Sequence, residues 1–337
     1  MNSAAVVTVG DSRRESLGAL KLAAYLRRIG WAVDELTDVG MFDDCDLFAF
    51  SCVFSWHLPR LVKMVHAAKA KGAEIWIGGP AVTFSHRNRE YVERATGIVP
   101  HKGLDERFER ESGTFPMVYF SRGCPAYTPA CGNCPVPIIE GNEFRYYPDA
   151  APAPLLLDNN LSALPDEYQD HIIRRYTDEW KKNKKVDANS GFEPHTFTVE
   201  TLKRWERFPL SCWRFGYDDL TERSEALRMM KLLRDHGHTG EKVRVYTLIG
   251  NEPMEACHQR VREVIENGCH PWPQRLRPLD WLGPEGTLPT RYDWDEPTLI
   301  AFQRFYSNRA FWGRLKPEEF FYQQRHPLRR ISLPVLV

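Results

Sequence analysis

The chain has 337 residues, 42% hydrophobic and 27% charged, a balance that excludes disordered and fibrous structure and leaves room for two domains. Lys plus Arg and Asp plus Glu number 45 each, so no overall positive field draws the chain to long nucleic acid. No apolar run reaches the ~20 residues of a membrane span, and Met1-Asn2-Ser3-Ala4-Ala5 lacks the charged start and apolar stretch of a signal peptide. These features predict a cytoplasmic protein with no membrane partner.

Along the first hundred residues, apolar strands alternate with amphipathic helices. Strands are expected at 5–9, 31–33, 46–54 and 74–80, and helices at 14–29 and 58–71, closed by Gly30 and Gly72. This β-α-β-α-β rhythm predicts a parallel sheet covered by helices. Ligands gather at the carboxyl ends of such strands, which here means Asp11, Phe54 to Trp56 and Gly78 to Ala81. Residues 86–115 are charged and read as an irregular connector. A second α/β region begins at Pro116, with strands expected near 116–120, 155–158, 186–189, 211–215, 243–249 and 274–279. Helices fit between them at 198–206, 222–236 and 253–267. The predicted organisation is a Rossmann-like domain at 1–105, a second α/β domain at 116–284 and a C-terminal capping extension at 285–337. The run Lys181 to Lys185, with Arg174 and Arg175, is the local patch that could meet phosphate.

Of eight cysteines, Cys124, Cys131 and Cys134 crowd into one Gly/Pro-rich loop after a strand. A cytosolic chain of this length does not use such a group as a disulfide framework. Thiolates are soft ligands for zinc, copper(I) or iron–sulfur clusters. Three readings stay open on spacing alone: structural cysteines, a zinc site completed by a distant His, or a four-iron cluster with one iron open.

The segment "SRGCP…ACGNCPVP" resembles the cluster loop of the radical S-adenosylmethionine (SAM) superfamily, with six residues between the first two cysteines where three are commonest. In order after it, "LLLDNNLSALP", "VDANSGFEPH", "CWRFGYDDL", "VYTLIGNEP" and "HPWPQRLRPLD" resemble successive barrel strands of that superfamily. The resemblance implies a partial (β/α)6 barrel in which Cys124, Cys131 and Cys134 hold a [4Fe–4S] cluster. It implies reductive cleavage of SAM to a 5′-deoxyadenosyl radical that abstracts hydrogen from a small-molecule or nucleotide substrate, with nucleic acid a further candidate. An electron donor such as flavodoxin or ferredoxin is implied as partner. Carried over by position, Asp158, Asn159 and Asn160 would meet the SAM amino group; Asp187 and Asn189, SAM or substrate; and Arg214, its carboxylate. Ile249 and Gly250 would pass close to adenine, and Trp272 would line the far wall.

Residues 4–82 are similar to the cobalamin-binding-like domain found ahead of that barrel, "WIGGPAVTF" matching its fourth-strand end. The D-x-H-x-x-G motif of an axial histidine is missing. The expectation is therefore a supporting or substrate-docking domain, with cobalamin binding and cobalamin-assisted methyl transfer as the alternative. A non-catalytic zinc or iron–sulfur module is the third reading.

Overall fold

A computed structural model describes residues 2–10, 16–36, 45–111, 115–125, 134–180, 184–283, 291–292, 294–318 and 320. The first sheet is fully parallel. β1 (Ser3–Val9) lies at its centre, followed in the chain by α1 (Leu17–Arg28), the edge strand β2 (Ala32–Leu36), β3 (Leu47–Cys52), α2 (Leu58–Ala70) and β4 (Glu74–Gly78), in sheet order β2-β1-β3-β4. β1 and β3 are near-continuous apolar runs because both of their faces are covered. Ala4, Val6, Leu47 and Ala49 pack on Leu22, Ala23 and Leu26 of α1. Ala5, Val7, Phe48 and Phe50 face the other way, onto Leu61, Val65 and Ala68 of α2.

The stretch expected to be an irregular connector is partly helical. α3 (Pro80–Phe84) and α4 (His86–Thr96) follow β4, and α5 (Glu106–Glu109) comes later. Ser85 caps α4 by accepting from Asn88 N, and Gly97 ends it in the left-handed conformation. Only one narrow stripe of α4 is buried, centred on Val92, so its apolar periodicity is too thin to read from the sequence.

The remaining strands begin with β5 (Met117–Val118). β6 (Ser121–Arg122) and β7 (Arg145–Tyr146) pair antiparallel around the short α6 (Val136–Ile139). β5, β8 (Leu155–Leu156) and β9 (Asp187–Ala188) form one parallel ladder, with α7 (Asp166–Glu179) after β8 and α8 (Val199–Trp205) after β9. β10 (Trp213–Gly216), α9 (Arg223–Asp235), β11 (Gly240–Ile249), α10 (Met254–Glu266) and β12 (Cys269–Arg275) supply a second parallel ladder and its helices. Parallel bridges Val186–Leu210 and Phe192–Phe215 stand between the two ladders. One core cluster underlies both, from Phe120 and Leu156 through Ile172, Trp205 and Phe215 to Val245. Finally, α11 (Glu296–Tyr306) and α12 (Arg309–Trp312) follow. Leu299, Phe302 and Phe305 of α11 pack with Ile249, Cys257 and Val261.

Strand alternation separates two kinds of face. On β11, Val243, Val245 and Ile249 are fully buried, whereas Arg244 and Tyr246 between them are partly exposed. Arg214 aligns with Arg244, and Gly216 with Tyr246, across the β10–β11 pair. The face turned away from the apolar core is therefore polar. Taken together, this is a mixed α/β fold with several parallel sheets, of generic Rossmann-like and barrel-like character. Among the described residues, no helix is long and apolar enough to cross a membrane.

The junction of β3 and β4 depends on Gly79. Its φ is +104°, and a Cβ there would stand 2.5 Å from Cys52 O and 2.8 Å from Cys52 N. Neither backbone atom can yield without moving β3. The Gly79→Ala variant is expected to lose roughly 1–3 kcal/mol of stability through backbone strain and this clash. The urea midpoint measures it; an unchanged midpoint would show that the strand ends do not meet this closely.

Candidate functional site

A cavity of ≈ 540 Å³ opens at the carboxyl ends of β3 and β4. Phe54, Gly78 and Gly79 form one side, and the first turns of α1 contribute Gly18 and Lys21. Across from them stand Met117 of β5, Tyr119 and Arg122, together with Asn159 beyond β8. The cavity thus lies between the first sheet and the second set of strands. Phe54, Gly78, Gly79, Pro80 and Ala81 sit where the strand-end rule places a ligand. Asp11 lies outside the described residues. Phe54, Trp76, Phe84, Phe108 and Tyr119 give the wall its aromatic character.

The polar part of the wall is built around Glu140, which is 7% exposed. One carboxylate oxygen accepts from Gly123 N at 2.9 Å and from Asn159 Nδ2 at 2.8 Å. The other pairs with Arg122 Nη2 at 3.1 Å. α6 ends at Glu140 and so delivers the carboxylate to this point. Gly123 has φ +85°, and a Cβ there would come within 2.1 Å of Glu143 O, so the turn that offers its N–H to Glu140 requires glycine. The Arg122 guanidinium stacks on Tyr119, 4.1 Å from the ring centre. Burial opposes the Arg122 charge, but the Tyr119 and Glu140 oxygens outweigh it and hold the group protonated. Burial pushes the Tyr119 phenol up to about 12.

Lys21 is 7% exposed, a cation on the buried face of α1. It donates to the Glu109 backbone oxygen and stands 3.4 Å from Glu109 Oε2. Burial lowers the Lys21 pKa, Glu109 opposes that, and the nearby Arg122 charge adds to it. Asp105 is bound by Arg107 through both oxygens, at 2.9 and 2.6 Å. The chain's own cations thus occupy the carboxylates at the wall.

The residues picked out from the sequence are dispersed. Asn159 lines the cavity. Asp158 is fully buried and accepts from Phe120 N at 3.0 Å and from Ser121 N and Oγ, both at 2.6 Å. It thereby fixes the exit from β5. Asn160 Oδ1 caps the turn after β8, accepting from Ala163 N at 3.1 Å. Asp187 forms a two-pronged ion pair with Arg214, both contacts 2.6 Å, so each meets the other's charge. Asn189 is exposed and donates its backbone N–H to Leu156 O. Ile249 is buried in the α11 core cluster, and a Cβ on Gly250 would touch Leu299 at 3.3 Å. Both therefore face the C-terminal helix. Trp272 carries the Arg244 guanidinium, 4.5 Å from its ring centre. Of the basic patch, Arg175 is bound to Glu179 and the Pro148 carbonyl, and Lys181 and Lys182 lie outside the described residues.

The cysteine expectation is corrected. Among the described residues, no group of three or more His, Cys, Asp or Glu side chains comes together to hold a metal ion. Cys124 Sγ lies 3.3 Å from the Pro125 carbonyl, and Cys131 lies outside the described residues. Among the described residues there is thus no converging donor set to seat the [4Fe–4S] cluster expected on Cys124, Cys131 and Cys134. The radical SAM assignment, SAM cleavage by such an enzyme and cobalamin-assisted methyl transfer fall with it, as does the zinc or iron–sulfur module.

Sequence reading passed over Lys21, Glu109, Arg122 and Glu140. The signal for Lys21 was present: it stands four residues after Leu17, on the same apolar helix face. Glu109 and Glu140 give no such signal, because their partners are distant in sequence. No family model and no curated protein sequence matches the chain.

Burial lifts the Asp158 carboxyl from 3.8 to about 6, against the pull of its hydrogen bonds from Ser121 and Phe120. The native state therefore keeps this proton after the unfolded chain has released it. The stabilisation is complete below about pH 4 and is lost as pH rises through about 6, roughly 3 kcal/mol in all. Asp158→Asn should remove this part of the pH dependence. Urea unfolding of both proteins at pH 4 to 7 measures it; identical slopes would place the titration elsewhere.

Proposed function

We propose that this chain binds a small organic molecule with a flat apolar body in the cavity between its first sheet and its second set of strands. The observation that carries the reading is the cavity itself: ≈ 540 Å³, walled by five aromatic residues, at the carboxyl ends of two parallel strands. Ligand pockets are typically concave, mostly apolar and furnished with a few fixed polar groups, and this one has all three attributes. The zero net charge supports a small molecule over a nucleic-acid polymer, which draws its affinity from accumulated cations.

In the architecture we propose, residues 1–105 are a Rossmann-like domain and residues 116–284 a partial six-stranded barrel. Residues from 285 onward are a cap packed on the barrel. Support comes from the parallel bridges between the two ladders and from the continuous core beneath them. The cavity would then be an interdomain cleft, a common place for ligands. Residues from both sides would hold the occupant, so binding would draw the two units together.

The neutral fluorophore N-phenyl-1-naphthylamine serves as a probe of the aromatic wall. Wild-type protein should bind it saturably and gain thermal stability. Gly18 lies at the cavity wall with only Ser16 Oγ near its Cβ direction, at 3.8 Å. The Gly18→Trp variant should therefore fold normally and bind the probe at least ten-fold more weakly. Equal binding by the two proteins would refute occupancy of this cavity.

A further inference from the structure

We infer that the cavity selects an organic anion, an aromatic or apolar body bearing a carboxylate or phosphate, and that Arg122 reads the anionic group. This deepens the small-molecule reading and rests on it. The inference comes from counting donors against acceptors. Glu140 uses both oxygens, on Arg122, Gly123 and Asn159. Asp105 uses both on Arg107, and Glu109 faces Lys21. The donors are not matched in the same way. Arg122 Nε is buried without a hydrogen-bond partner, and so is the Tyr147 hydroxyl. Lys21 Nζ lies 5.4 Å from the Tyr147 ring centre, so the two neighbour one another. Lys21 carries three N–H donors, and Glu109 is its hydrogen-bond acceptor through a backbone and a side-chain oxygen.

A buried guanidinium N–H without an acceptor costs free energy unless something supplies one. Arg122 lines the cavity, stacked on Tyr119 and anchored by Glu140 through Nη2. Its orientation is fixed before any ligand arrives, so little ordering remains to oppose binding. An anionic oxygen entering beside it would complete the Arg122 donor set, with Lys21 adding its charge nearby. The aromatic wall formed by Phe54, Trp76 and Phe84 would cover the apolar body. A neutral ligand of the same shape would leave the Arg122 donor unsatisfied.

Two fluorophores with the same aromatic frame test this: 8-anilinonaphthalene-1-sulfonate, an anion, and the neutral N-phenyl-1-naphthylamine. Wild-type protein should bind the anion at least ten-fold more tightly, as a charge-assisted hydrogen bond requires. Arg122→Gln should bring that ratio close to one, the anionic dye losing far more affinity than the neutral one. Arg122→Lys, which keeps a positive partner for Glu140 if the glutamine variant does not fold, should lower the ratio several-fold. Equal affinities in wild type, or a ratio unmoved in whichever variant folds, would overturn the inference while the small-molecule reading stands. Binding of neither dye, or binding unaffected by Gly18→Trp, would overturn both. Competition by 1-naphthoate and by 1-naphthyl phosphate then separates carboxylate from phosphate as the preferred group. Failure of both to compete would also overturn the inference.

Discussion

The buried carboxylate of Glu140 is the interaction on which the polar half of the cavity depends. It ties Arg122 from β6, the Gly123 turn and Asn159 beyond β8 to the end of α6. A lone carboxylate at 7% exposure would be costly, and three donors offset that cost. The same contacts hold Arg122 flat on Tyr119. Removing the carboxylate would leave a buried cation without its counter-charge, so the network stands or falls as a unit.

Burial treats the ionisable groups of this molecule in two ways. Some stand against a partner of opposite sign: Asp187 with Arg214, Arg260 with Glu252 at 2.8 Å, Arg122 with Glu140. Elsewhere burial itself dominates, and the carboxyl pKa climbs. Asp158, met by backbone and hydroxyl donors alone, rises to about 6. Glu222 rises to about 7 through burial and the neighbouring Asp218 charge. Asp158 lies just past β8, and Glu222 lies in the turn between β10 and α9.

Much of the first sheet was legible because local pattern and tertiary burial agree. Leu47 to Cys52 is apolar throughout and is covered on both faces, and α1 and α2 lie within a few residues of their periodic stretches. β5 and β8 to β11, with α8 to α10, could also be followed, although β5, β8 and β9 are only two residues long; the last strand, expected near 274–279, runs instead over Cys269–Arg275, and β6, α6, β7 and α7 were not foreseen. What misled was chemistry inferred from proximity in sequence. Cys124 and Cys134 are ten positions apart, but loop proximity does not make a donor set, and none forms among the described residues. Conversely, the pairs that shape the cavity wall join distant positions. Lys21 meets Glu109 across 88 residues. Asn159 reaches Glu140 across 19. Only the folded chain brings them together, and no periodicity announces them.

Why a protein should surround an aromatic cavity with ion pairs follows from desolvation. An unpaired cation in such a wall would be driven towards its neutral form, as burial already lowers the Lys21 pKa despite Glu109. Pairing a cation with an internal carboxylate opposes that shift. The pairing is incomplete by design of geometry: a guanidinium has five N–H donors, and a single carboxylate engages two at most. Arg122 spends Nη2 on Glu140 and keeps Nε in reserve. The residue is thus paired enough to be buried, and its Nε is the donor that the proposed anion would engage. A lysine in its place could satisfy Glu140 but would lack the fixed planar fork that holds one donor toward the carboxylate and leaves another unspent.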